Sequence, residues 1–120
     1  MARKEEFMGE GRVDRVYIED ILESINLIER YIDNISFEEF SMEYEKQDAV
    51  IRRLEIIGEA VKNLSGKLKE ENPEIPWRKM AGLRDVVIHQ YFGVSYELVW
   101  KTVKNDMPAL KNKLERISRI

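Results

Sequence analysis

The chain contains no cysteine and one histidine, His89. These two features exclude disulfide bonds, thiolate metal sites and a multi-histidine metal site within one chain, although carboxylate sites for magnesium stay open. No apolar run approaches the roughly 20 residues that a transmembrane helix requires. Residues 1–12 also lack the apolar stretch of a signal peptide. We therefore expect a cytoplasmic protein that has no membrane contact, no cofactor and no metal site built from cysteines or several histidines of one chain.

The charge balance limits the kind of partner that the protein can bind. Twenty Lys and Arg residues against 23 Asp and Glu residues give a formal net charge of −3. Nonspecific nucleic-acid binders are normally basic, so any contact with RNA must be local. Glycine-rich phosphate loops, dinucleotide-binding spacings and local signatures of a serine or cysteine nucleophile do not occur in the sequence.

Apolar residues recur at helical rather than strand spacing. They lie three or four residues apart over residues 13–35 and again over residues 50–68, whereas no alternating strand pattern or Asn-Gly turn stands out. The sequence therefore predicts an all-α protein, an antiparallel four-helix-type bundle with additional short helices. We expect residues 1–12 to be a flexible N-terminal lead-in and residues 13–120 to form a single helical domain.

A helix start is marked strongly at Ser36. Glu39 lies three residues later, which is the spacing of a capping box, and Ile35 with Phe40 occupies the two positions of a hydrophobic staple.

Glycines, serines and prolines indicate the remaining boundaries. Gly58 stands inside a long helical pattern at a cost of about 1 kcal/mol relative to alanine, so we expect another backbone to approach it closely. We also expect an interruption at Ser65-Gly66, a helix end before Pro73 and Pro76, and a single turn over residues 77–80. Further along the chain we expect an N-cap at Ser95 and a break or kink at Pro108, with Asp106 as the new N-cap.

Residues 84–91, Arg-Asp-Val-Val-Ile-His-Gln-Tyr, are the candidate site. Arg84 and His89 are five residues apart, so on one helix their side chains diverge by about 140° and rise by about 7.5 Å. They cannot share one narrow face, but a groove at a twofold dimer axis would bring two such pairs together. Asp85 is four residues before His89 and can hold its imidazole. A histidine that only packs and hydrogen-bonds remains the alternative.

A second charged cluster lies on the long helix. Glu55 and Glu59 are four residues apart, and Arg52 and Arg53 come just before them. This pattern is typical of a solvated, salt-bridged face. The alternative is that the face borders the same groove and positions Arg84.

Together these motifs resemble the HepT toxins, a branch of the HEPN superfamily. The resemblance rests on Arg-x4-His-x-Tyr within residues 84–91, on the long-helix stretch 47–60, on the proline-rich corner 72–77 and on residues 89–94. It extends over nearly all of residues 14–118.

The resemblance implies the toxin component of a type VII toxin–antitoxin system, working as a homodimer. Such a protein is a metal-independent endoribonuclease, with tRNA among the substrates of the family. The implied partner is an MntA-type minimal nucleotidyltransferase antitoxin, which attaches AMP to the motif tyrosine, here Tyr91.

The candidate residues fit RNA cleavage by their own chemistry. RNA supplies its nucleophile, the 2′-hydroxyl, so the protein needs a proton acceptor, a proton donor and a positive charge near phosphorus. His89 can act as base in one protomer and acid in the other, and Arg84 offers a planar cation that matches phosphate. Asp85, Glu55 and Arg52 would support this pair.

Two other classes of function stay open at this point. One is a non-catalytic helical adaptor or nucleotide-binding module that partners a nucleotidyltransferase. The other is a structural dimer in which Arg84 and His89 only satisfy their neighbours.

Overall fold

The computed structural model describes residues 2–85 and 96–118, with side chains described for residues 13–85 and 96–117. Every regular element within these ranges is helical, which confirms the all-α prediction for this part of the chain. The elements are α1 (Ala2–Tyr31), α2 (Phe37–Met42), α3 (Tyr44–Lys62), α4 (Gly66–Glu71), α5 (Trp77–Ala81), α6 (Tyr96–Lys101), a π-helical turn (Thr102–Asp106) and α7 (Met107–Ser118).

Helix α1 begins earlier than its apolar period suggests. We expected the helix to begin at Val13, but the helical backbone begins at Ala2. Residues 2–8 consist largely of alanine, arginine, lysine, glutamate and methionine, which have high intrinsic helix propensity. The proposed domain boundary after residue 12 stays a prediction.

The core forms where α1 packs against α3 and α7. Each of these helices contributes a row of buried aliphatic side chains at three- and four-residue steps. Each fully buried aliphatic side chain contributes about 1.5–3 kcal/mol, so this seam fixes how the helices sit relative to one another. Its members include Ile18, Ile21, Ile25, Ile28 and Ile32 of α1, Val50, Leu54, Ile57 and Val61 of α3, and Leu110 and Leu114 of α7.

The helix start at Ser36 is confirmed. Ser36 is the N-cap of α2, and its Oγ accepts a hydrogen bond from the N–H of Glu39 at 3.1 Å. Phe40 is fully buried, and Ile35 is partly buried against the same core. At the other end of α2, Nε2 of the buried Gln47 donates to the carbonyl of Phe40 at 2.7 Å, which satisfies a terminal carbonyl of this short helix.

The predicted boundaries between α3 and α5 are also confirmed. Helix α3 ends at Lys62, and Ser65 then caps α4, where its Oγ accepts from the N–H of Leu68 at 3.2 Å. Helix α4 ends at Glu71, before the two prolines, and the turn predicted over residues 77–80 is α5.

The predicted recapping at Pro108 is wrong. The helical backbone continues from α6 to α7 through the π-helical turn, in which the N–H of Met107 donates to the carbonyl of Thr102. Proline lacks an N–H, and the wider turn just before it lets the helix continue with a local distortion. Asp106 pairs instead with Lys79, whose Nζ lies 3.0 Å from its Oδ2. The predicted N-cap Ser95 lies outside the described residues.

In the part of the chain that the structure describes, no helix has the length and apolar character required to cross a membrane.

Candidate active site

The structure describes the first part of the candidate motif. Leu83, Arg84 and Asp85 have helical backbone, and Leu83 is buried in the core. His89 and Tyr91 lie outside the described residues, so their roles stay predictions.

The backbone at Arg84 lies directly against α3 at Gly58. A Cβ atom on Gly58 would stand 3.5 Å from the main-chain nitrogen of Arg84 and 3.4 Å from the carbonyl oxygen of Ala81. These are van der Waals distances, so a side chain larger than a methyl group would separate the two segments. The predicted close approach of another backbone to Gly58 is confirmed, and that backbone belongs to the segment that contains Arg84.

The side chain of Arg84 meets the residue that follows this glycine. Its Nη1 lies 3.5 Å from Oε1 of Glu59, and the two side chains are 54% and 55% exposed. Lys62, one turn later, lies 3.9 Å from the same oxygen. Exposed pairs of this kind contribute about 0–1 kcal/mol, so this contact adds little to the stability of the fold.

Arg84 stands at one edge of an open groove of about 490 Å³ between α1 and α3. The charged face of α3 forms one wall, where Nη1 of Arg52 lies 4.0 Å from Oε2 of Glu55. The charges of this face are solvated and paired, and the face also borders the groove beside Arg84. That it positions Arg84 stays a prediction. The described residues that line it are Tyr17, Asp20, Arg52, Glu55, Ile56, Glu59, Ala60, Asn63 and Arg84.

Not every candidate residue reaches this groove. Arg53, next to Arg52 in sequence, is not part of the lining. Asp85 is exposed and also absent from it, and its backbone N–H donates to the carbonyl of Gly82 at 2.9 Å. Its predicted partner, His89, is not described.

Sequence reasoning missed the contribution of α1 to the groove. Tyr17 and Asp20 line the wall opposite α3. We had assigned Tyr17 to the apolar run of α1 and had given Asp20 no role. The available signal was their three-residue spacing, which places a ring and a carboxylate on one side of α1.

The described side chains offer no group of three or more histidine, cysteine, aspartate and glutamate residues placed to hold a metal ion. Among the described residues, the charged side chains that line the groove are two arginines, Arg52 and Arg84, and three carboxylates, Asp20, Glu55 and Glu59.

The comparison with known families shows the family to which the chain belongs. The model of the family described as "Ribonuclease HepT-like" matches residues 21–117. The chain belongs to this family. Since it is a family of ribonucleases, RNA is the substrate class that membership of the HepT-like family implies. No solved structure matches the chain.

Several curated relatives have ribonuclease names. The HepT-like chain is 52% identical over 108 residues to "Probable ribonuclease HepT" of Thermococcus cleftensis, an alignment that covers 90% of this chain and 98% of that protein. It is 40% identical over 106 residues to a candidate RNase of Caldanaerobacter subterraneus, covering 88% and 95% of the two chains. A protein of Methanocaldococcus jannaschii, whose name joins a gamma-glutamylcyclotransferase to a candidate RNase, is 47% identical over 103 residues. These residues make up 86% of this chain and 46% of that longer protein.

Proposed function

We propose that this HepT-like chain is the toxin of a type VII toxin–antitoxin system and a metal-independent endoribonuclease acting on cytoplasmic RNA, with tRNA as the first candidate. The observation that carries the proposal is the place of Arg84. Its guanidinium is half exposed at the edge of an open groove, where it can meet a phosphate without displacing core side chains. Family membership supports the ribonuclease activity, and the groove supports Arg84 as its phosphate-binding residue.

The proposed reaction uses the 2′-hydroxyl of RNA as nucleophile. His89 takes the proton of this hydroxyl as its oxygen bonds to the adjacent phosphorus, and the bond from phosphorus to the 5′-oxygen breaks. A second, protonated His89 gives its proton to that leaving oxygen. The products are a 2′,3′-cyclic phosphate and a 5′-hydroxyl. Arg84 stabilises the negative charge on the phosphoryl oxygens, and Asp85 orients the imidazole of His89.

The use of two histidines requires a homodimer. We propose that the helices form an antiparallel bundle that pairs through the face carrying Arg84 and His89, so that two motifs flank each substrate phosphate. The divergence of about 140° between these side chains on one helix supports this arrangement. Sedimentation that shows a strict monomer at micromolar concentration would remove the two-histidine mechanism.

The proposed antitoxin is an MntA-type minimal nucleotidyltransferase. It would transfer AMP from ATP to the hydroxyl of Tyr91 and release pyrophosphate. The added nucleotide brings bulk and negative charge close to Arg84, so it would block RNA sterically and repel its phosphates.

Cleavage assays in EDTA test the activity. We expect the purified protein to cut total tRNA or an RNA oligonucleotide of randomised sequence and to leave cyclic phosphate ends. Arg84→Ala and His89→Ala should each lower the rate by about 10²-fold or more, the usual scale for electrostatic and acid–base roles. Arg78→Ala is the matched control, because Arg78 is an exposed arginine of α5 that does not line the groove.

Two results would contradict the proposal. Activity that disappears in EDTA and returns with magnesium would show that the reaction depends on a metal. Unchanged cleavage by His89→Ala would remove the acid–base role and favour the non-catalytic adaptor or nucleotide-binding module.

A further inference from the structure

We propose that Glu59 is a positioning residue that sets the guanidinium of Arg84 for the substrate phosphate. This inference rests on the proposed function, since it concerns the orientation of the arginine assigned there to phosphate binding. Two observations support the inference. Glu59 directly follows Gly58, where the backbone at Arg84 lies against α3, and its carboxylate contacts one nitrogen, Nη1, of the Arg84 guanidinium.

The backbone places both residues firmly. Gly58 is buried, and its missing side chain lets the main chain at Arg84 lie against α3. Glu59 is the next residue on the same helix, so the Cα positions of Glu59 and Arg84 are held relative to each other by the core. Only the two side chains then remain free to move, and an unrestrained arginine side chain has about 2 kcal/mol of rotamer entropy.

The contact restrains the guanidinium without occupying all of it. Among the described residues, the hydrogen bond of the Arg84 side chain is the one from Nη1 to Glu59. A guanidinium has five N–H donors in a planar fork, so Nε and the other Nη can still bind a phosphate through two parallel hydrogen bonds. Glu59 thus holds one corner of the fork and leaves another edge for RNA.

Glu59 is itself held from a second side. Nζ of Lys62 lies 3.9 Å from the same Oε1 that faces Arg84. Lys62 lies one helical turn after Glu59, and its ammonium group restrains the Glu59 carboxylate and partly balances its negative charge. The carboxylate of Glu59 therefore lies between two cations, Lys62 and Arg84, of which Arg84 also lines the groove.

The positioning role and simple electrostatics predict opposite effects of neutralising Glu59. Removing a negative charge beside a phosphate-binding arginine should strengthen the attraction for RNA and raise activity if charge alone matters. If Glu59 orients Arg84, its neutralisation should lower the turnover number, because a misplaced catalytic group loses rate even when the substrate still binds.

The experiment compares Glu59→Gln with Glu45→Gln in steady-state cleavage of a fluorophore–quencher RNA oligonucleotide of randomised sequence. Glu45 is an exposed glutamate in the first turn of the same helix and does not line the groove, so its variant removes the same charge elsewhere. We expect Glu59→Gln to lower kcat by about tenfold or more while KM does not increase, and Glu45→Gln to match wild type. Thermal denaturation should show both variants folded, since the Glu59 contact is exposed.

A double-mutant cycle asks whether Glu59 acts through Arg84. In an Arg84→Ala background, Glu59→Gln should cause no further loss, because there is no guanidinium left to orient. Binding of the 2′-O-methyl form of the same oligonucleotide, which cannot be cleaved, should weaken with Arg84→Ala and stay at or above wild-type affinity with Glu59→Gln.

The outcomes separate this inference from the function on which it rests. If Arg84→Ala abolishes cleavage but Glu59→Gln is as fast as wild type or faster, the positioning role is wrong and the ribonuclease proposal stands. A full additive loss in the double variant would also overturn it, since Glu59 would then act independently of Arg84. If Arg84→Ala cleaves and binds as wild type does, both the proposed function and this inference fail.

Discussion

The carboxylate of Asp14 in α1 accepts hydrogen bonds from both donors of Ser65, its backbone N–H and its hydroxyl. Its Oδ1 accepts from the backbone N–H of Ser65 at 2.8 Å, and its Oδ2 accepts from the Ser65 hydroxyl at 2.6 Å. Since the oxygen of that hydroxyl in turn accepts from the N–H of Leu68, one half-buried carboxylate of α1 orients the N-cap of α4.

Replacing Asp14 should therefore destabilise the fold. We expect Asp14→Ala to lower the free energy of unfolding by about 1–3 kcal/mol, because two hydrogen bonds to a charged group are lost and the cap becomes free to turn. Urea denaturation followed by circular dichroism measures the loss. Glu19→Ala, at an exposed site on the same helix, should stay within about 0.5 kcal/mol of wild type. Equal midpoints for the two variants would show that the pair contributes nothing.

Gly58 should accept one methyl group and no more. A Cβ atom would meet its neighbours at 3.4 Å or more, so Gly58→Ala should leave stability unchanged or raise it by up to about 1 kcal/mol through helix propensity. Gly58→Val should lose about 1–3 kcal/mol, since its two extra carbons push against the backbone at Arg84. We expect cleavage to fall with the valine and to persist with the alanine. A fully active and stable valine variant would mean that the close approach is not required.

Ser36 should contribute as a cap and not as a surface hydroxyl. Ser36→Ala removes the acceptor for the N–H of Glu39 and should cost about 1 kcal/mol. Ser41→Ala is the matched control on the same helix, because its hydroxyl only donates to the carbonyl of Glu38, one turn earlier. We expect the control to change the unfolding free energy by less than about 0.5 kcal/mol. Equal losses of unfolding free energy in the two variants would show that the capping hydrogen bond of Ser36 stabilises α2 no more than the hydroxyl of Ser41 does.

Tyr91 should be the regulated residue and not a catalytic one. Under the proposed function, Tyr91→Phe should keep most ribonuclease activity while resisting neutralisation by an MntA-type nucleotidyltransferase with ATP and magnesium. Mass spectrometry should find added AMP on wild type and none on Tyr91→Phe. Tyr44→Phe is a demanding control, since Tyr44 is 72% exposed and offers an accessible hydroxyl elsewhere. AMP found on Tyr44 or Tyr96, with inhibition intact, would identify a different acceptor.

Interactions within a few residues of each other could be predicted from the sequence. The cap at Ser36, the interruption at Ser65 and the turn that becomes α5 follow from local hydrogen bonding and from backbone angles that a residue type allows. The helical periods predicted the buried rows of α1 and α3 for the same reason, since the period of a helix is a property of consecutive residues. Even the close approach at Gly58 could be expected, although not the segment that makes it.

Which segment lies against Gly58, and which residues form the groove beside it, depend on how the helices are packed and rotated. The sequence alone could not show that Glu59 and not Glu55 meets Arg84, or that Tyr17 and Asp20 complete the groove from α1. Local preference also misjudged Asp106, which pairs with Lys79 of another helix and does not cap a new one, while the backbone continues into α7 through a π-helical turn. Residues far apart in the chain meet only where core packing brings their helices together, so these relationships were decided by the tertiary structure.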